Sequence, residues 1–145
     1  MDQNVFELLK KRVINSPFAK HMGMTVRDIG PGYAKVEARY SEKMFNFHGL
    51  IHGGAIFSLI DEAFGAASNS HGTIALALNM NITFIKPAKI HSMLIAEAKE
   101  ESRSKHTATY HIEVHQRGEN EDQKIAVCQA LVYRKDKILP FLEGD

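Results

Sequence analysis

The segment from Gly53 to about Ser70 constrains the fold more than any other part of the chain. Ile56, Phe57, Leu59, Ile60, Ala63, Phe64, Ala66 and Ala67 recur at helical steps and together cover nearly the whole helix circumference. A helix that is apolar on every side must be buried on every side. Asp61 and Glu62 interrupt it, and no uninterrupted apolar run approaches the roughly 18 residues that a membrane helix needs. The protein itself must therefore wrap this helix.

The flanking segments supply the wrapping. Met22–Ile29 and Tyr33–Tyr40 read as strands joined at Gly30-Pro31-Gly32, a turn signal. In the second, Ala34, Val36, Ala38 and Tyr40 alternate with Lys35, Glu37 and Arg39, the period of a half-exposed strand. After the helix, Thr73–Ile85, Ser92–Ser102, Thr107–Arg117 and Lys124–Arg134 read as four more strands, with Gly118–Gln123 a polar turn. Residues 2–15 place Val5, Phe6, Leu9 and Val13 at three- and four-residue steps, an amphipathic helix within an N-terminal unit 1–16 that Pro17 ends. A basic amphipathic helix can lie on a membrane, but packing over the domain's own core is the commoner use. The expectation is a single α+β domain over 1–145, with antiparallel strands bent around a central helix at 53–70.

Composition excludes several function classes. Eighteen basic residues against 17 acidic leave a formal net charge of +1, without the clustered basic excess of a nucleic-acid-binding protein. One cysteine, Cys128, cannot form an intrachain disulfide, which suits a reducing compartment. Met1-Asp2-Gln3-Asn4 shows no basic region followed by an apolar run, so no secretory signal is expected and the cytoplasm is the simplest location.

Chemistry concentrates where Asn46-Phe47-His48-Gly49-Leu50-Ile51-His52-Gly53-Gly54 enters the central helix. His52-Gly53-Gly54 puts two residues without side chains at the helix N-terminus. Free N–H groups and the positive end of the dipole favour developing negative charge there. A thioester carbonyl brought to those N–H groups would have its oxyanion stabilised as attack proceeds. A tight loop-to-helix turn is the plainer reading of the same glycines. Asp61, with Phe57, Ser58, Phe64 and Gly65 three and four residues away, is costly to bury without partners, and burial raises a carboxyl pKa. It reads as a general base or nucleophile, or alternatively as a carboxylate at the helix surface. Glu62 points about 100° away, toward solvent or a basic partner. Gly53 and Asp61 are separated by about 12 Å along one helix, too far to act on one acyl carbon. Two antiparallel copies would bring Gly53 of one subunit to Asp61 of the other, which suggests a two-fold dimer with composite sites.

Asn46, His52-Gly53-Gly54 and Asp61, followed by Asn79-Met80-Asn81-Ile82-Thr83-Phe84 and Pro87-Ala88, resemble the hotdog-fold acyl-CoA thioesterases of the PaaI-like kind, roughly over residues 20–134. The resemblance implies a six-stranded sheet around the central helix and a dimer that usually pairs further into a tetramer. It implies that Gly53 donates its N–H to the thioester oxygen and that Asn46 helps to place that group or the water. Asp61 of the opposing subunit would activate water or attack directly, and His52 would shape the loop. Some relatives carry a hydroxyl residue where this chain has Ala77; Ser58 and Ser68 are the substitutes at hand. Coenzyme A carries phosphates, so Arg103 and Lys105, at the turn between two strands, are candidate contacts, with Lys86 and Lys89 behind them. Gly54, Phe57 and Ser58 complete the candidate substrate contacts, and Phe45, Phe47, Leu50 and Phe64 could wall an acyl pocket. The expected substrate is an aryl- or medium-chain acyl-CoA, and no metal or redox cofactor is needed.

Other readings have less to stand on. His48 and His52 are four apart but lie in a loop without a third ligand. His111 and His115 would be about 13 Å apart on a strand. Cys128 sits among Ile125, Ala126, Val127 and Ala130 as a small core residue. No Gly-x-Ser-x-Gly elbow is present. A hotdog dehydratase would need a His paired with Asp or Glu for α-proton removal, and that arrangement is missing. A non-catalytic acyl-CoA sensor would need an output domain, for which 145 residues leave little room; it would also have no reason to keep a carboxylate beside the thioester.

Overall fold

The computed structural model describes residues 3–144; Asp2, at the expected start of the first helix, lies outside them. Helix α1 (Gln3–Ile14) turns Leu9 into the core, with Val13 and Ile14 packed against it. Pro17 does not simply end this helix. It opens a second one, α2 (Pro17–Met22), whose N-cap Ser16 accepts a hydrogen bond from Ala19 N at 3.4 Å. Proline suits the first helical turn because its missing N–H would be unpaired there anyway. The strand expected from Met22 consequently starts at Thr25.

Six strands follow around the long helix: β1 (Thr25–Gly30), β2 (Tyr33–Arg39), then α3 (Gly53–Ser68), β3 (Thr73–Phe84), β4 (Met93–Arg103), β5 (Thr107–Gln116) and β6 (Gln123–Ile138). They form one antiparallel sheet in the order β1-β2-β4-β5-β6-β3. The turn between β1 and β2 requires glycine at Gly32, where φ is +65° and an added Cβ would sit 2.8 Å from Glu100 Cβ. Strand β6 runs four residues beyond its expected end at Arg134, because β3 continues to pair with it as far as Thr73↔Ile138.

The sheet curls over α3, which packs mainly on β2, β4 and β5. Leu59, Ile60 and Ala63 are fully buried, and Phe64 meets Tyr110 of β5 edge-on with ring centroids 5.6 Å apart. Each such large apolar side chain contributes about 1.5–3 kcal/mol through burial. Tyr40 at the end of β2 anchors the start of the helix, its hydroxyl donating to Ala55 O at 3.2 Å.

Two surfaces depart from the expectation of complete burial. Helix α3 keeps one stripe open: Gly54, Phe57 and Asp61 are exposed, with Ser58, Glu62 and Gly65 half-buried beside them. These positions are three and four residues apart and so share one face. The second surface is β3, an edge strand without a charged residue. Its Leu76, Leu78 and Phe84 are 49%, 58% and 52% exposed. A single sheet of this curvature covers only part of a helix, and the residues left open lie next to the unpaired edge.

Candidate active site

The loop before α3 is built by Asn46. Its Oδ1 accepts from His48 N at 2.9 Å and Leu50 N at 3.1 Å, and its own N–H donates to Leu50 O at 2.8 Å. Gly49, at φ +78°, closes this turn. Phe45 and Ile51 then form a β-bridge, and His52 N donates to Met44 O at 2.7 Å. The loop is thereby held in the one shape that delivers His52 as the helix N-cap.

His52 Nδ1 accepts from Gly54 N at 2.8 Å. A Cβ on Gly54 would lie 3.0 Å from that nitrogen, so the second glycine leaves room for the imidazole. The cap also divides the two glycines chemically. The Gly54 N–H is consumed by His52, whereas no acceptor among the described residues takes the Gly53 N–H. Gly54 is thus not a second free donor, contrary to the simplest reading of the paired glycines. Removing the cap with His52→Ala should lower unfolding free energy by about 1 kcal/mol, measurable as a shifted urea midpoint at unchanged slope. An unmoved midpoint would show that the bond contributes nothing.

The Gly53 amide opens on a pocket of about 290 Å³, lined by Asn46, Leu50, Ile56, Phe84 and Pro87 among others. Phe84, at the far end of β3, lies under Gly53, its ring 3.5 Å from where a Cβ would stand. The sequence shows Phe84 only as the end of the Asn79–Phe84 segment; its place at the helix start follows from β3 running back alongside α3.

Asp61 lies elsewhere. It lines a separate cleft of about 460 Å³ between α1, α3, β3 and Leu139. Its side chain reaches solvent, and no hydrogen bond or ion pair engages it among the described residues. The apolar mass around it nevertheless pushes its carboxyl above the ordinary carboxylate range. Asp61 takes the helix-surface position, and Glu62, expected toward solvent or a basic partner, is half-buried. Burial and then the neighbouring Asp61 charge raise the Glu62 carboxyl as well. Ala77 borders the same cleft and offers no hydroxyl from β3, while Ser16 and Ser68 also line it. Ser58 donates its hydroxyl to Gly54 O at 2.8 Å and Ser68 is buried, its hydroxyl directed to Gly65 O.

Of the four basic candidates, Lys86 lines the Gly53 pocket, whereas Lys89, Arg103 and Lys105 border neither that pocket nor the Asp61 cleft. Arg103 lines a surface pocket with Pro31, His71 and Arg134, beyond the C-terminal end of α3. It lies 2.8 Å from His71 Nε2 and 3.8 Å from Glu100 Oε1. Lys105 is exposed in the adjoining turn. Phe47 is 92% exposed and lines neither the Gly53 pocket nor the Asp61 cleft, whereas Phe64 is core that borders the Asp61 cleft. Cys128 is 1% exposed and burial pushes its thiol up to about 11, as befits a core residue. Among the described residues no group of three His, Cys, Asp or Glu side chains could hold a metal ion. None of their helices is long and apolar enough to cross a membrane.

A six-stranded antiparallel sheet curled around one central helix, with a free amide at the helix start, is the hotdog architecture. The sequence profile of the Thioesterase superfamily matches residues 48–122. A putative esterase of Archaeoglobus fulgidus is 38% identical over 139 residues, covering 96% of this chain and 80% of that protein. The acyl-coenzyme A thioesterase PaaI of Escherichia coli is 36% identical over 100 residues, covering 69% and 71%. The solved structure of Escherichia coli PaaI superposes with a TM-score of 0.85 at 28% identity, covering 92% of this chain and 95% of that one. The chain belongs to the thioesterase superfamily and is a thioester hydrolase of the PaaI-like hotdog kind.

Proposed function

We propose that the protein hydrolyses an aryl- or medium-chain acyl-CoA to the free acid and coenzyme A at sites shared between two subunits. The observation that carries this reading is the separation of the free Gly53 amide from the unpartnered Asp61 carboxylate into two clefts of one chain. Gly53 of one subunit polarises the thioester carbonyl and stabilises the oxyanion. Asp61 of the other removes a proton from the attacking water, or attacks the carbon itself; both routes use the same carboxylate. The C–S bond then breaks and the thiolate leaves, to be protonated as free coenzyme A; on the direct-attack route a water then cleaves the acyl-Asp61 anhydride, releasing the free acid and restoring the carboxylate. The Asn46 amide group, whose oxygen is committed to the loop, is left to place the carbonyl or the water. Coenzyme A enters only as part of the substrate, and the chemistry calls for no metal or redox group.

The dimer is supported by the uncharged edge of β3 and the open stripe of α3 beside it. Long apolar edges are ordinarily blunted by charge, proline or covering structure. A second copy pairing along β3 would cover both surfaces and run the two α3 helices antiparallel, and such dimers could pair further into a tetramer. Arg103 and Lys105 then serve the phosphates from one rim of the shared site. The acyl preference is supported by the Escherichia coli PaaI likeness, whose solved structure comes from the phenylacetic acid degradation operon.

The test is thiol release from a panel of aryl- and medium-chain acyl-CoAs, combined with sedimentation of the same sample. Turnover of at least one such thioester by a species of dimer mass or larger is expected. A monomer that hydrolyses them would overturn the shared site.

A further inference from the structure

We propose that the cleft beneath α1 receives the acyl group and that Val13, with Leu9 and Leu139, sets the longest acyl group accepted. The inference rests on the reading of Asp61 as the group that drives attack. If Asp61 acts on the thioester carbon, that carbon lies within a few ångströms of its carboxylate. The acyl group attached to it must then pass into whatever space adjoins Asp61. That space is the 460 Å³ cleft, within the roughly 300–1,000 Å³ typical of small-molecule sites.

Its walls are of the right chemistry. Leu9 and Val13 of α1, Phe64 of α3, Leu76 of β3 and Leu139 line it. The polar Ser68 and Asn69, both hydrogen-bonded within the chain, mark the part nearest the end of α3, and Arg12, Ser16 and Glu62 also border the cleft. The roof is held from two directions. Leu9 is 4% exposed in the core, and the Arg12 guanidinium lies over the Phe141 ring at 5.0 Å, tying α1 to the turn after β6. Val13 is only partly buried and faces the cleft from this fixed roof. A change in its side-chain volume is therefore transmitted to the cleft rather than absorbed by movement of the helix. The competing space, the 290 Å³ pocket at Gly53, is smaller and must already admit the carbonyl oxygen.

The experiment measures calorimetric affinities of acetyl-, butyryl-, hexanoyl-, octanoyl- and phenylacetyl-CoA for Asp61→Asn protein, in which bound thioester persists. Each added methylene should tighten binding up to about fourfold until the cleft is full. In Asp61→Asn/Val13→Phe the gain should stop at a shorter chain, with tenfold or greater loss for octanoyl-CoA and less than twofold for acetyl-CoA. In Asp61→Asn/Val13→Ala the gain should continue to a longer chain, an opposite change that misfolding cannot imitate. Parallel profiles in all three proteins would overturn the proposal. So would truncation of the series by Leu50→Trp, which fills the Gly53 pocket, in place of Val13→Phe. Absence of hydrolysis by the wild type would instead remove the hydrolytic reading, while the binding series still decides which cleft holds the acyl group.

Discussion

In the Asp61→Asn variant thioester turnover should fall by about a hundred- to ten-thousandfold, the range spanned by general-base contributions. The amide is nearly isosteric with the carboxylate but cannot take a proton from water or attack as an anion. The fold should not suffer. A carboxyl whose folded pKa is raised binds protons more readily in the native than in the unfolded state. Stability is therefore lost as pH rises from the unfolded value of about 3.9 through the raised folded value. Above that window the ionised carboxylate is a net cost, which asparagine removes. The variant should melt at neutral pH no lower than the wild type, with unchanged sedimentation. The same shift sets a pH signature: wild-type kcat/KM should decline toward acid at a pH above that of an ordinary aspartate, and the residual activity of the variant should lose this limb. Activity within a few-fold of wild type would sink the role given to Asp61.

Gly53→Pro should lower kcat about a hundred- to a thousandfold, the typical cost of one oxyanion donor. Proline deletes the N–H while its fixed φ suits the first position of a helix. His52 already holds φ −61° and ψ 136°, the extended conformation that a following proline requires. The Phe84 ring, 3.5 Å from the new Cβ, is in ordinary contact. Loss of activity with preserved helix content and melting temperature would isolate the amide itself. The pair of variants also tests the shared site. When Gly53→Pro and Asp61→Asn chains are mixed by refolding, half of the dimers are heterodimers and each has one site with both groups intact, so activity should return to about a quarter of wild type. If both groups acted from one chain, no intact site could form and activity would stay at the level of the single variants.

Much of the fold was legible because local patterns and tertiary demands agree. The alternation from Ala34 to Tyr40 predicts a strand with one buried face, and those four residues are buried. Pro17 was misread because proline both ends and begins helices, and the deciding group is the Ser16 hydroxyl rather than the proline. The Asn46 to Gly54 motif was visible as a loop entering a helix. That His52 would consume the Gly54 amide and leave the Gly53 amide free depends on an imidazole rotamer, which residue types do not encode. Whether Asp61 is buried or at the surface, and that Glu62 is half-covered, stayed open because an apolar helix gives no phase reference from which to tell its inner face from its outer one.

Local residue patterns already require that a mostly apolar helix be wrapped by strands, and they point to its glycine start and its aspartate as the places where chemistry clusters. This much is legible because helical period, strand alternation and turn residues are properties of neighbours along the chain. The tertiary structure alone decided which strand is left at the edge, which stripe of α3 stays open, and that Gly53 and Asp61 face different clefts. Those features depend on strand order and sheet curvature, set by packing between residues far apart in the chain, where no local pattern reaches.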